Sequence, residues 1–264
     1  MIVVAARLVP AAFALALAPV GASAVPKPVA LTAVPARVVL TGTTQSTVRL
    51  TNAGAKRVVV DASRAGFALT LRGRPRIIRR GARSAASWLK LQPRRLALPA
   101  RTSASLLVSA RVPRNAKPGD HDALVLLTTR PAAGARVAVR VRLGVVVVVR
   151  VPGTLVRRVE LRRLWVARRG GRRLLELRVA NRGNVTEELD RVHVTVSRAW
   201  TGRLLAKLVA APRDVRPHTQ GILDFRLRPR VRGAVTARVV IPAAPGRSAI
   251  RRTYTIRLAA PPGR

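Results

Sequence analysis

The chain has 264 residues, 48% hydrophobic but only 3% aromatic, so its cores must be built mainly from Val, Leu, Ala and Ile. Cysteine is absent, which excludes disulfides, thiolate metal sites and a cysteine nucleophile. The formal net charge of +41 comes almost entirely from Arg. It predicts attraction to polyanions, namely anionic wall polymers, lipid headgroups or nucleic acid, although the coding bias of a GC-rich genome explains the same composition.

The first 24 residues are typical of an export signal. Arg7 supplies a positive charge, residues 8–20 form an apolar segment, and Ala22-Ser23-Ala24 fits the small-residue cleavage pattern. The apolar segment is shorter than the roughly 20 residues that a membrane span needs. We therefore expect cleavage after Ala24, with the uncleaved segment as the alternative. The product would be secreted or associated with a bacterial cell envelope, without a transmembrane helix.

The first predicted domain covers residues 25–152, where apolar residues alternate with polar ones as in strands with one face in a core. Asn52-Ala-Gly54 separates two such runs and predicts a hairpin. A second hairpin is predicted across the turn at residues 113–119, which ends in Pro118-Gly119. The predicted strands are residues 29–34, 37–41, 47–51, 57–62, 96–98, 103–112, 122–129 and 136–151.

Two groups of arginines in this domain are candidate binding residues. One group occupies a loop, and the other lies on the polar side of the strand at residues 136–151, opposite its valines. The loop group could form the rim of a ligand site, with solvated loop charges as the favoured alternative. The strand group predicts a flat basic surface, and the alternative is that it is the solvent-exposed side of a sheet. Trp88 is predicted to fill the core between the sheets. The candidate binding residues are Arg79, Arg80, Arg83, Arg136, Arg140 and Arg142.

The turn pair Pro152-Gly153 predicts a boundary, followed by a second domain over residues 153–264. Strand-like alternation recurs there at residues 159–166, 174–180, 192–196, 222–227, 235–241 and 250–258. Asn181-x-Gly183 repeats the Asn52-x-Gly54 sequence at the end of a strand. The predicted fold class is therefore all-β, with two immunoglobulin-like antiparallel β-sandwich domains in tandem.

Groups that could carry catalysis are scattered along the sequence. Asp120-His121-Asp122 is the one local cluster; it could bind a cation, but satisfying backbone groups of the turn is the favoured interpretation. No metal-ligand spacing, nucleophile motif or phosphate-binding loop occurs. We predict no enzymatic activity and no cofactor. Specific nucleic-acid binding is not expected either, because Trp165 and Trp200 lack the aromatic companions that base stacking uses.

Several residues resemble the first domain of the WxL-interacting proteins, cell-surface proteins of Gram-positive bacteria. The similar segments are Asn52-x-Gly54, Ala85-Ala-Ser-Trp88-Leu89, Val112-Pro113 and Ala116-x-Pro118-Gly119-Asp120-His121. The resemblance implies two immunoglobulin-like domains, association with peptidoglycan, and a WxL or host protein partner. The C-terminal transmembrane helix usual in that family has no counterpart here.

Two functions follow as hypotheses. The first is an exported, non-enzymatic envelope protein that attaches to peptidoglycan or an anionic wall polymer and to a surface protein partner. The alternative is a periplasmic-type assembly chaperone that acts by strand donation. The alternative predicts a basic anchor in the cleft between the domains and a free strand edge near residues 103–112. The sequence leaves the oligomeric state open.

Overall fold

The structure is a computed structural model that describes residues 30–42, 44–78, 84–130, 140–227, 231 and 233–258. Within these ranges the chain forms strands, turns and bends, and it contains no helix that would be able to cross a membrane. The strands of the first half are β1 (Leu31–Val34), β2 (Arg37–Thr41), β3 (Gln45–Asn52), β4 (Val58–Leu69), β5 (Pro75–Ile78), β6 (Leu89–Gln92), β7 (Arg95–Leu98), β8 (Ser103–Ala110), β9 (Gly119–Thr129) and β10 (Arg142–Val151).

These strands form a first sandwich. One sheet has the order β1-β3-β8-β6, and the other has the order β2-β10-β9-β4-β5, with β7 also paired to β4. The alternation seen in the sequence places Val145, Val147 and Val149 of β10 in the core, each no more than 1% exposed. Trp88 is half-buried and packs against the edge of this core rather than filling its centre.

Both hairpins predicted in this half are wrong. Strand β3 pairs with β1 and β8, whereas β4 pairs with β5, β7 and β9 in the opposite sheet. Likewise β8 and β9 belong to different sheets, so the segment from Pro113 to Gly119 crosses between sheets instead of closing a hairpin. The free edge predicted near residues 103–112 is also wrong, because β3 and β6 cover β8 on its two sides.

The second half forms another sandwich with its own core. Its sheets have the orders β11-β12-β17 and β15-β14-β18-β19, with a small β13-β16 pair. Three short strands, β13, β15 and β16, were not predicted from the sequence. The strands are β11 (Val159–Arg169), β12 (Arg172–Asn181), β13 (Glu187–Leu189), β14 (His193–Arg198), β15 (Leu204–Val209), β16 (Arg213–Val215), β17 (Gln220–Arg226), β18 (Gly233–Ile241) and β19 (Ile250–Leu258).

The predicted all-β fold of two immunoglobulin-like sandwiches is confirmed. One hydrophobic core gathers residues between Leu31 and Val149, and a second gathers residues between Val159 and Leu258. Pro152 and Gly153 lie between the last strand of the first sandwich and the first strand of the second. The domain limits assigned from the sequence stay a prediction.

Candidate functional site

Strand β10 has a free edge along its first residues, before its pairing with β2 begins. On one side β9 pairs with it along its whole length, but on the other side β2 covers only Val146 to Arg150. The amide of Val146 donates to the carbonyl of Ala36, toward β2. Because backbone groups alternate sides along a strand, Gly144 directs its N–H the same way, beyond the reach of β2.

The cleft between the sandwiches encloses a cavity of about 410 Å³. Val146 and Val148 of β10 contribute apolar side chains to its wall. The same wall carries arginines from both sandwiches, since Arg37 and Arg72 come from the first and Arg213 from the second. The wall of the cleft therefore combines apolar side chains with arginines, and Asp122 and Asp214 are also part of it.

Arg37 on β2 is held by two carboxylates of the second sandwich. Its Nη1 lies 2.8 Å from Asp214 Oδ2 and 2.9 Å from Glu188 Oε1. Burial raises the pKa of Asp214, and the charge of Arg37 opposes that rise. This arginine, part of a short strand near the start of the described chain, thus joins the two sandwiches across the cleft.

Arg213 is the cation of the cleft that makes no ion pair with a carboxylate in the described part of the chain. Its Nε is buried without a hydrogen-bond partner, and burial lowers its pKa. A buried, unsatisfied donor on a charged group is unfavourable unless a ligand or water satisfies it. Arg213, which lines the cavity, can therefore donate hydrogen bonds to an anionic group that enters the cleft.

The Asp120-His121-Asp122 cluster lies at the junction of the sandwiches and is buried. Burial raises the pKa of Asp120, but hydrogen bonds from Arg150 and from the Thr186 amide, 2.7 Å each at their shortest, outweigh it and lower the pKa. For Asp122, burial prevails over its ion pair with Arg216, so the pKa is raised. His121 directs Nε2 at the Lys117 carbonyl, 2.8 Å away.

These contacts explain the cluster as a connection between sandwiches. Arg216 and Thr186 belong to the second sandwich, while Asp120 and Asp122 begin β9 in the first. The cation-binding interpretation has no support, because the described ranges contain no group of three or more residues able to hold a metal ion. The favoured interpretation was that the cluster satisfies backbone groups of the turn. It is incomplete, because the main partners of Asp120 and Asp122 are two arginines and a backbone amide that are distant in sequence.

A second connection is centred on Glu176 of β12, which is fully buried. Arg72, in the turn after β4, donates to both carboxylate oxygens of Glu176 at 2.9 and 3.0 Å, and it also contacts Asp224. Burial alone would raise the pKa of Glu176, but the hydrogen bonds from Arg169 and Arg72 hold it below its usual range. Nearby, the amide of Ile222 donates to the carbonyl of Leu71 at 2.7 Å.

The arginines proposed from the sequence as a binding surface are not brought into this cleft where they are described. Arg140 and Arg142 are exposed near the start of β10, and Arg140 lines a separate cavity beside Asp61. Arg79, Arg80, Arg83 and Arg136 lie outside the described residues. No pattern in the sequence singles out Arg37 or Arg213, because their neighbours in the cleft come from distant strands.

No family model and no curated protein matches the chain. Solved structures that match include the class 5 fimbriae chaperone CfaA, at 11% identity and a TM-score of 0.49, covering 85% of this chain and 98% of that one. The chaperone DraB of E. coli matches at 13% identity and a TM-score of 0.46, covering 87% and 99%. The CupB2 chaperone of Pseudomonas aeruginosa matches at 14% identity and a TM-score of 0.45, covering 86% of this chain and 100% of that one. At such identities the likeness concerns the fold alone.

The predicted resemblance to WxL-interacting proteins is wrong, since the matching structures are fimbrial chaperones. The prediction of attachment to peptidoglycan or an anionic wall polymer depended on that resemblance and on the Arg-rich surface. It is therefore wrong as well.

Proposed function

We propose that the chain is an exported, non-enzymatic assembly chaperone in the bacterial cell envelope that holds a surface-protein client by strand pairing. The observation that carries this proposal is the free edge at the start of β10, which ends at Val146, a residue that lines the arginine-rich cleft. Pairing of an extended client segment with that edge would satisfy backbone groups that β2 leaves open. The pairing uses main-chain groups, so it suits clients of varied sequence.

The side chains of the cleft support the same function. An extended segment paired with the first residues of β10 would end where β2 begins, at Val146, whose side chain lines the cavity together with Val148. Arg213, whose Nε lacks a partner, would donate hydrogen bonds to a carboxylate of the client. The Nε of Arg37 is also buried without a partner, but its Nη1 is already paired with Asp214 and Glu188, so a client carboxylate would have to compete for this arginine. The basic anchor is accordingly assigned to Arg213.

A backbone substitution at the β10 edge tests the proposal. Gly144→Pro removes the outward N–H and leaves the pairing with β9 in place, since that ladder uses the neighbouring residues. Gly144→Ala is the matched control, because it keeps the N–H and introduces the same Cβ, which would lie 3.1 Å from Leu124 Cδ1. A photo-crosslinking amino acid replaces Arg142 in both variants and in the otherwise native chain. The crosslinked products of the three proteins are then compared in the cells that make the protein.

We expect the native chain and Gly144→Ala to crosslink to an extended segment of an exported surface protein, located by mass spectrometry of the linked peptides. Gly144→Pro should lose most of that product. A crosslinker at Lys90 on β6, another edge strand, should not yield it. Equal crosslinking by both Gly144 variants, or the same product from Lys90, would show that the β10 edge does not hold a client.

A further inference from the structure

The outer face of the sheet β15-β14-β18-β19 is a flat basic surface. Core residues alternate along these strands with outward ones, and the outward cations are Lys207, Arg238, Arg251 and Arg257, all exposed. We call these four residues the basic face. The register places Lys207, Thr195, Arg238 and Thr253 side by side in one row across the four strands.

No acidic side chain moderates this charge within the sheet. The sequences of the four strands contain no Asp or Glu. The described carboxylates of the second sandwich lie on other elements, where most of them are paired with arginines, as Glu176 is with Arg72 and Arg169. The positive potential of the basic face is therefore not neutralised locally, and it selects an anionic partner.

Apolar side chains flank the basic face at the β15 edge. Trp200, in the turn between β14 and β15, is 68% exposed, and Leu204 and Val209 on β15 are 51% and 65% exposed. The Arg198 guanidinium lies 5.9 Å from the centre of the Trp200 ring. Tryptophan beside aliphatic side chains and cations is the composition that favours the interface of a lipid bilayer, because the ring is apolar with one polar N–H.

We infer that this sheet docks the chain on an anionic membrane surface, with the basic face over the headgroups and Trp200 inserted at their level. A hydrophilic polyanion would satisfy the cations, but it would leave Trp200, Leu204 and Val209 exposed to water. The lipid surface accounts for both features. The inference is independent of the client site, which lies on β10 of the first sandwich.

Vesicle binding by the full exported chain tests the inference. Vesicles of phosphatidylcholine with phosphatidylglycerol are compared with vesicles of phosphatidylcholine alone, by sedimentation and by the shift of tryptophan emission. The double variant Arg238→Gln with Arg251→Gln should weaken binding to the anionic vesicles about 25-fold, at about fivefold for each charge near the surface. The emission should shift to the blue on binding, and Trp200→Phe should abolish that shift.

The matched control removes two exposed charges from the first sandwich, Arg111→Gln with Arg114→Gln, and so gives the same net charge. We expect it to weaken binding less than about threefold. Equal losses in the two double variants would overturn the inference, since net charge alone would then explain binding. Binding to polyglutamate with the same dependence on Arg238 and Arg251, together with no emission shift on vesicles, would overturn it in favour of a soluble polyanion.

Discussion

At the scale of single residues, Asn181 plays in the second sandwich the role that Asn52 plays in the first. Each is buried at the end of a strand, and its Oδ1 accepts from the amide of the glycine two residues later. The Nδ2 of Asn181 donates to the carbonyls of Val185 and Val215, and that of Asn52 donates to Lys56, Leu98 and Pro99. In both sandwiches the hydrogen bonds of the Asn-x-Gly segment thus hold the chain where a strand ends and the backbone leaves its sheet.

Asn181→Ala should lower the free energy of unfolding by about 3 kcal/mol, because buried backbone groups of Gly183, Val185 and Val215 lose their partner. Asn184→Ala is the control, since Asn184 makes as many side-chain hydrogen bonds but is partly exposed, so water can replace them. We expect it to cost less than about 1.5 kcal/mol. Denaturant unfolding of both variants measures the difference, and equal costs would contradict this account.

At the scale of elements, β9 begins at a contact between the sandwiches. Gly119 has φ +108, and a Cβ there would lie 2.3 Å from the carbonyl oxygen of Asn184. The amide of Asp120 donates to that same oxygen at 2.8 Å. Only glycine lets the first residue of β9 approach the second sandwich this closely.

Gly119→Ala should therefore destabilise the protein by about 3 kcal/mol or more, through backbone strain and displacement of Asn184. Gly170→Ala is the matched control, because Gly170 also has a positive φ, +53, but a Cβ there meets nothing within 4 Å. Its cost should be about 1 kcal/mol, which is the conformational penalty alone. Thermal unfolding compares the two, and a Gly170 effect as large as that of Gly119 would disprove the importance of the contact.

At the scale of the whole molecule, ion pairs hold the two sandwiches together. Arg72 contacts Glu176, and Arg216 contacts Asp122 while its guanidinium lies 4.5 Å from the centre of the Phe67 ring. In each of these two ion pairs the arginine and the carboxylate are far apart in sequence, and both side chains are at least half-buried. Removal of one member of such a pair leaves a desolvated charge, which costs more than the loss of an exposed ion pair.

Glu176→Gln should cost about 3 kcal/mol at pH 7, because Arg72 and Arg169 lose their shared carboxylate. The pKa of Glu176 is lowered in the folded state, so its stabilisation is present above the unfolded-state pKa, about 4.3, and is lost as the pH falls through the folded-state pKa. The difference in stability between the native chain and the variant should consequently shrink below about pH 4.

A series of denaturant unfolding curves between neutral and acid pH measures this dependence. The control is Glu160→Gln, whose carboxylate is partly exposed and pairs with arginines of its own sandwich. It should change stability by less than about 1 kcal/mol at pH 7. A loss for Glu176→Gln that stays constant with pH would show that the carboxylate charge is not what joins the sandwiches.

The sequence by itself determined the fold class and the position of most strands. The period of two along β10 or β12 is a local property of the chain, so Val145, Val147, Leu175 and Leu177 are recognisable as core residues without knowledge of their neighbours. Asn-x-Gly likewise marked both strand exits.

Only the tertiary structure decided which strands pair and where the cleft lies. Strands β3 and β4 are consecutive in the sequence yet belong to opposite sheets, because β3 pairs with β8 and β4 pairs with β9. The charges that join the sandwiches are as remote, since Arg72 and Glu176 are separated by 104 positions and Asp122 and Arg216 by 94. A periodic pattern records which face of a strand is buried, but the partner that covers it is set by packing across the whole chain.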